Sequence, residues 1–139
     1  MKFRFNKIFT MMLLVFSAML TLSSFQQPPT LKGNWIFQGG VYNGKPDPAP
    51  TAYSLQRRYK DTTFDAYMLE KGEKPLKYQS GRYGLQLDTC LETETYSLNP
   101  SKLTNITVHY QYAFRNDTLV LSGTLPTGMV VEEYWKKQK

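Results

Sequence analysis

The residues best suited to chemistry lie on short alternating stretches. Tyr53, Leu55, Arg57 and Tyr59 alternate with Ser54, Gln56 and Arg58, so a strand here sends one guanidinium to the same face as two phenol rings. Further on, "NITVHYQYAF" places Ile106, Val108, Tyr110, Tyr112 and Phe114 on one parity and Thr107, His109, Gln111 and Ala113 on the other. Near the C-terminus Glu132 and Glu133 are adjacent, so in either register one carboxylate points inward. An arginine fork grips a carboxylate or phosphate through two parallel hydrogen bonds, while aromatic neighbours cover the apolar part of a ligand. The candidate ligand-binding set is therefore Arg57, Tyr53, Tyr59, Tyr110, Tyr112, Phe114 and Glu133. The competing reading is a structural Arg57–Glu133 contact within or at the mouth of the fold, because a lone buried charge is prohibitive. Exposure of both is the third. The ten tyrosines admit the same duality: they line a cavity with rings carrying polar tips, or they are ordinary strand residues.

Enzymatic chemistry has less to stand on. His109 is the only histidine and Cys90 the only cysteine, and His109 falls on the polar parity. No cluster has metal-ligand spacing, no glycine-rich phosphate loop precedes a helix, and no G-x-S-x-G occurs. Asp61 and Asp65 flank a turn and read as loop acids. The expectation is a protein without catalytic residues or cofactor.

Such residues need strands to position them. After Phe114 comes Asn116-Asp117, two residues that tolerate positive φ and can close a two-residue hairpin. Counting outward, Arg115 opposes Thr118, Phe114 opposes Leu119, Tyr112 opposes Leu121 and Tyr110 opposes Gly123. The next hairpin sets Gly123 against Val131 and Leu121 against Glu133, which puts Val131, Glu133 and Trp135 on the inner face unless a bulge at Gly128 shifts them. Trp35, Phe37 and Val41 open the first strand, and "NGKPDPAP" (43–50) is a turn-rich loop that cannot be sheet interior. Phe64, Ala66 and Met68 precede the turn "EKGEKP". Residues 78–88 and 90–97 form another hairpin with Tyr83, Leu85 and Leu87 on one face. About eight strands with turn signals every 8 to 12 residues, and no amphipathic helix, make the fold all-β. Nearest-neighbour hairpins favour an up-and-down meander closing into a barrel, with a β-sandwich as the alternative.

The compartment follows from the N-terminus. Lys2, Arg4 and Lys7 precede an apolar run from Ile8 to about Leu22 and small residues at Ser23 and Ser24, the pattern of a secretory signal peptide. The run is short for a membrane span, which needs roughly 20 apolar residues; an uncleaved anchor is the alternative. Residues 1–25 are thus expected to be leader and 26–139 a single domain, exported to the periplasm or beyond from what reads as a Gram-negative bacterium, with no stable membrane insertion. Without the leader, fourteen Lys and Arg face eleven Asp and Glu, a net charge of about +3 with no stripe that would track nucleic acid. The single cysteine allows no intramolecular disulfide, so packing and hydrogen bonds must hold the fold. Cys90 reads as a small hydrophobe rather than a nucleophile.

Gly33-Asn34-Trp35 in "LKGNWIF" matches the Gly-x-Trp signature of lipocalins. With "SGRYGLQLD", "NDTLVLSG" and "EEYWKK" in that order, the chain resembles the small secreted lipocalin-like domains of unknown function from gut bacteria. The resemblance implies a barrel, possible occupancy by a small molecule, and Trp35 at the closed end beneath a basic residue of the last strand, here Lys137 or Lys136 where lipocalins usually have Arg. It carries over no ligand, cofactor or catalytic residue. The combined expectation is an exported, non-enzymatic barrel binding a small hydrophobic or amphiphilic molecule; the alternative is an interaction module with a filled interior, using its outer face or the 43–50 loop.

Overall fold

The computed structural model describes residues 29–139; the expected leader lies outside the described residues. The described residues form nine antiparallel strands: β1 (Gly33–Tyr42), β2 (Lys45–Pro48), β3 (Ser54–Tyr59), β4 (Thr63–Leu69), β5 (Leu76–Gln86), β6 (Thr89–Ser97), β7 (Thr107–Arg115), β8 (Thr118–Thr124) and β9 (Val130–Lys137). Strands β3 to β9 pair each with the next, and β9 returns to β1, which also pairs with β3. Eight strands thereby form a closed ring with β2 as an addition, so the sandwich alternative falls away. The closure leaves no long edge open to another chain.

The registers follow from two-residue turns and period-two patterning. Arg115 opposes Thr118, Phe114 opposes Leu119 and Tyr112 opposes Leu121; Gly123 opposes Val131 and Leu121 opposes Glu133. Asn116 supplies the positive φ, 56°, that this tight reversal requires. Gly128 introduces no shift. One correction concerns "NGKPDPAP": Asn43 and Gly44 both have positive φ and turn the chain into β2, whose Pro46 and Pro48 are exposed on a strand that pairs only with β1. Proline is tolerated there because the edge needs no further donors.

That extra strand has a structural cause. β1 pairs with β3 only over Gly33–Ile36, and an irregularity between Phe37 and Gly39 breaks its register against β9. Beyond this bulge at Gln38, β2 replaces β3 as the neighbour of Gly39–Tyr42. The inserted residue also reverses the parity, so Tyr42 rather than Val41 turns inward, with its hydroxyl on Glu133.

The hairpin turns at 60–62, 87–88 and 116–117 gather at one end of the barrel with Trp35; those at 43–44, 70–75, 98–106 and 125–129 form the opposite, loop end. A dry cluster that includes Leu31, Trp35, Phe64, Tyr83, Tyr112, Leu119 and Trp135 fills the Trp35 end. Each large side chain so buried stabilises the fold by about 1.5–3 kcal/mol. The Trp35 Nε1 donates to the Leu31 carbonyl at 2.7 Å, and the Lys137 Nζ sits 5.3 Å from the indole centroid. Lys137 thus occupies the place that the resemblance assigns to a basic residue, as a point charge without the stacking plane of Arg.

Candidate functional site

Arg57 is carried into the barrel by β3, and its side chain is more than nine-tenths buried. A charge there needs partners, and the partner is Glu92 of β6: Nη1 lies 3.2 Å and 3.1 Å from the two carboxylate oxygens. The sequence expectation of an Arg57–Glu133 contact is therefore corrected. Glu133 does face inward on β9, but its oxygens accept from the Tyr42 hydroxyl and the Trp135 Nε1, each at 3.0 Å. It contributes only at longer range to holding the proton on Arg57.

Arg57 also heads a chain of polar contacts. Tyr59 donates its hydroxyl to Glu92 and receives Arg57 Nη1 at 3.2 Å. Arg57 Nη2 reaches Gln79 on β5 at 3.5 Å, Gln79 donates to Glu94, and Glu94 accepts from Thr104 at 2.7 Å. The line runs from the dry cluster toward the loop end. The guanidinium lies between aromatic faces, 4.8 Å from Trp135 and 5.3 Å from Phe64, a desolvated cation–π arrangement. Among the described residues its Nε meets no hydrogen-bond acceptor.

The electrostatics follow from this crowding. Burial opposes the charge on Arg57, yet Glu92, with Tyr59 and Glu133 behind it, outweighs that and holds the proton more tightly than usual. Burial pushes the Tyr59 hydroxyl up; Arg57 pulls it down and Glu92 pushes it further up. Tyr110 is raised by burial and then by Glu92, and Tyr78 by burial, with Arg57 opposing. All three phenols are thereby held protonated at neutral pH, and Tyr59 donates a hydrogen bond to the Glu92 carboxylate.

A cavity of about 40 Å³ is bordered by Arg57, Gln79, Glu92, Glu94, Leu103 and Tyr110, among others. Its size admits two or three waters or one small head group, since each water needs roughly 10–15 Å³ by this measure; a drug-sized ligand needs about 300 Å³ or more. Two larger clefts, about 370 and 330 Å³, share Ser122 and Glu132; the first is lined mainly by β8 and β9 and the second by β7 with β8.

The seven sequence-predicted residues therefore separate. Arg57, Tyr59, Tyr110 and Glu133 meet in the interior. Tyr112 is buried, but its hydroxyl donates to the Leu87 carbonyl at 2.7 Å, which ties it to the Trp35 end. Phe114, expected inward, is 42% exposed and stacks on Trp35 at 6.1 Å, because it lies where β7 reaches the end of the barrel. Ile106, also expected inward, is 40% exposed, since it precedes β7 and belongs to the covering loop. Tyr53, expected on the face of Arg57, is 37% exposed just ahead of β3. Leu87, expected beside Leu85, is 96% exposed in the β5–β6 turn with a φ of 51°.

Glu92, Glu94, Gln79 and Tyr42 are the interior polar residues that the sequence pattern does not single out. A signal existed for two of them: Cys90, Glu92 and Glu94 share a parity, and Cys90 is fully buried. Cys90 and His109 lie one register step apart, where Cys90 opposes Tyr110 and Leu91 opposes His109, so the thiol faces in and the imidazole faces out. Burial also pushes the Cys90 thiol far above its ordinary range.

No protein-family model and no curated protein matches the chain. Among solved structures, the crystal structure of an uncharacterized protein from Bacteroides eggerthii is similar, with a TM-score of 0.58 and 14% identity, over 78% of this chain and all of that one. At that identity the likeness speaks to the fold alone.

Proposed function

We propose that the protein is an exported, non-enzymatic, lipocalin-like binding barrel that receives a small, partly apolar molecule at the loop end of its interior, polar group inward. The observation that carries this reading is the polar line Tyr59–Glu92–Arg57–Gln79–Glu94, buried at its first three members, beside a cavity bordered by Arg57, whose Nε has no acceptor among the described residues. An apolar filling of the same volume holds a barrel together as well or better than a buried ion pair, so the polar line supports a role in recognition. The 40 Å³ space limits what enters to a head group, with the remainder of the ligand against the loops. The sealed Cys90 thiol and the outward His109 support a non-enzymatic role.

Native mass spectrometry of the protein recovered from the cell envelope of its host tests the reading. A small non-covalent adduct that departs on denaturation is the expected result. A clean apo mass, even after incubation with an organic extract of that envelope, overturns it. A second reading, an interaction module working through its outer wall, is favoured by the two clefts across β7, β8 and β9; co-purification of a protein partner with an unliganded barrel is its distinguishing outcome.

A further inference from the structure

The charges turned into the barrel do not balance. Arg57 is the one cation of the polar line, and Glu92 already takes it in an ion pair. Glu94 borders the cavity and is held by neutral donors only, the Gln79 amide and the Thr104 hydroxyl. Glu133 is likewise held by Tyr42 and Trp135. Among the described residues, neither Glu94 nor Glu133 has a lysine, arginine or histidine within ion-pair distance. The two carboxylates that border the cavity, Glu92 and Glu94, thus face one committed guanidinium, and the surplus there is negative. An entering carboxylate or phosphate meets that surplus with no free cation to receive it, whereas an ammonium meets a counter-charge in a water-poor space where such attraction is strongest. Tyr110 and Phe64, both at the cavity, add ring faces that favour a cation.

A second observation points to a ligand at the same place. Arg57 borders the cavity, its side chain is more than nine-tenths buried, and among the described residues its Nε has no acceptor. The rim beyond is apolar: Leu103 and Ile106 border the cavity, and Ile106 is large and exposed. The loop that carries them is tied to Glu94, whose carbonyl accepts from the Asn105 amide at 2.7 Å.

We propose that the loop end of this barrel takes an amine-bearing amphiphile, ammonium inward against Glu94 and apolar tail along Leu103 and Ile106. This rests on the binding reading above, but it reverses the charge that Arg57 alone would select. Octylamine, octanoate and octanol, titrated calorimetrically into the mature protein at neutral pH, separate the possibilities. Octylamine binds at least tenfold more tightly than octanoate, and Glu94→Gln lowers octylamine affinity at least tenfold while octanol affinity holds. An unchanged far-UV circular dichroism spectrum and melting temperature show that the variant is folded. Equal affinities for the three probes, a preference for octanoate, or an indifferent Glu94→Gln overturns the amine assignment and leaves the binding barrel standing. Failure of all three probes to bind overturns both.

Discussion

Arg57→Met keeps most of the buried stem and removes the guanidinium, which leaves the Glu92 carboxylate inside the barrel with only the Tyr59 hydroxyl to satisfy it. Stranding one member of a buried pair costs about 3–5 kcal/mol. In a domain of this size 1 kcal/mol corresponds to about 4 °C, so the melting temperature should fall by roughly 12–20 °C. The companion variant Arg57→Met/Glu92→Met removes both charges. What then remains unpaired is chiefly the Tyr59 hydroxyl, about 1–3 kcal/mol, so the double variant should be more stable than the Arg57 single despite its additional substitution. Urea unfolding followed by far-UV circular dichroism reads the difference as a shifted midpoint at constant slope. If Arg57→Met lies within about 1 kcal/mol of the parent, or if the two substitutions simply add, the interior ion pair contributes nothing specific and the reasoning built on it fails.

Gly81 lies where β5 crosses β6 most closely: a Cβ would sit 2.1 Å from the Thr93 carbonyl oxygen, so Gly81→Ala should destabilise by about 1–3 kcal/mol in the same assay. Cys90 is fully buried with a raised thiol pKa; a thiol-reactive disulfide reagent at mildly alkaline pH should label none of it in the native protein and one equivalent in denaturant. Asp65 is held below its ordinary carboxyl value of 3.8, first by the hydrogen bond from Lys77 and, against some burial, by Lys60. A depressed folded-state pKa stabilises above the unfolded value and is lost as pH falls through the folded one. The stability gap between parent and Asp65→Asn should therefore narrow as urea midpoints are taken from about pH 5 to about pH 2. Lys137→Ala should cost about 0.5–1 kcal/mol through loss of the contact over Trp35, and Lys137→Arg should recover it or more.

The strands were legible because a barrel with one dry face prints its geometry directly into a period of two. The Asn116-Asp117 turn allowed two hairpins to be counted residue by residue, and Glu133 was placed inward correctly from that count. What escaped has a common physical character. The bulges at Gln38, Tyr78 and Thr95 each insert one residue, and an insertion leaves no mark in a binary pattern while reversing every parity beyond it. β2 was hidden because two prolines mask the alternation of an edge strand. Arg57 reaches Glu92 across the interior from β3 to β6, and local periodicity says which face a side chain takes but not which distant strand stands opposite. Leu87 departs for a simpler reason: Leu is an unusual occupant of a turn position with positive φ, so its hydrophobicity outweighed its place between Gln86 and Thr89.

The ring is joined at one seam only, where β1 receives β9 from Trp35↔Lys137 to Tyr42↔Val131. Every other junction links consecutive strands, except that of β1 with β3, which spans only the short β2, so each can form early, whereas this one must wait for the final segment and bears the largest loop-closure entropy. The last eight-residue strand is thus the keystone. A chain halted just before Val130 keeps its meander but exposes the flanks of β1 and β8 together, as raw hydrogen-bonding borders that a second truncated copy would match.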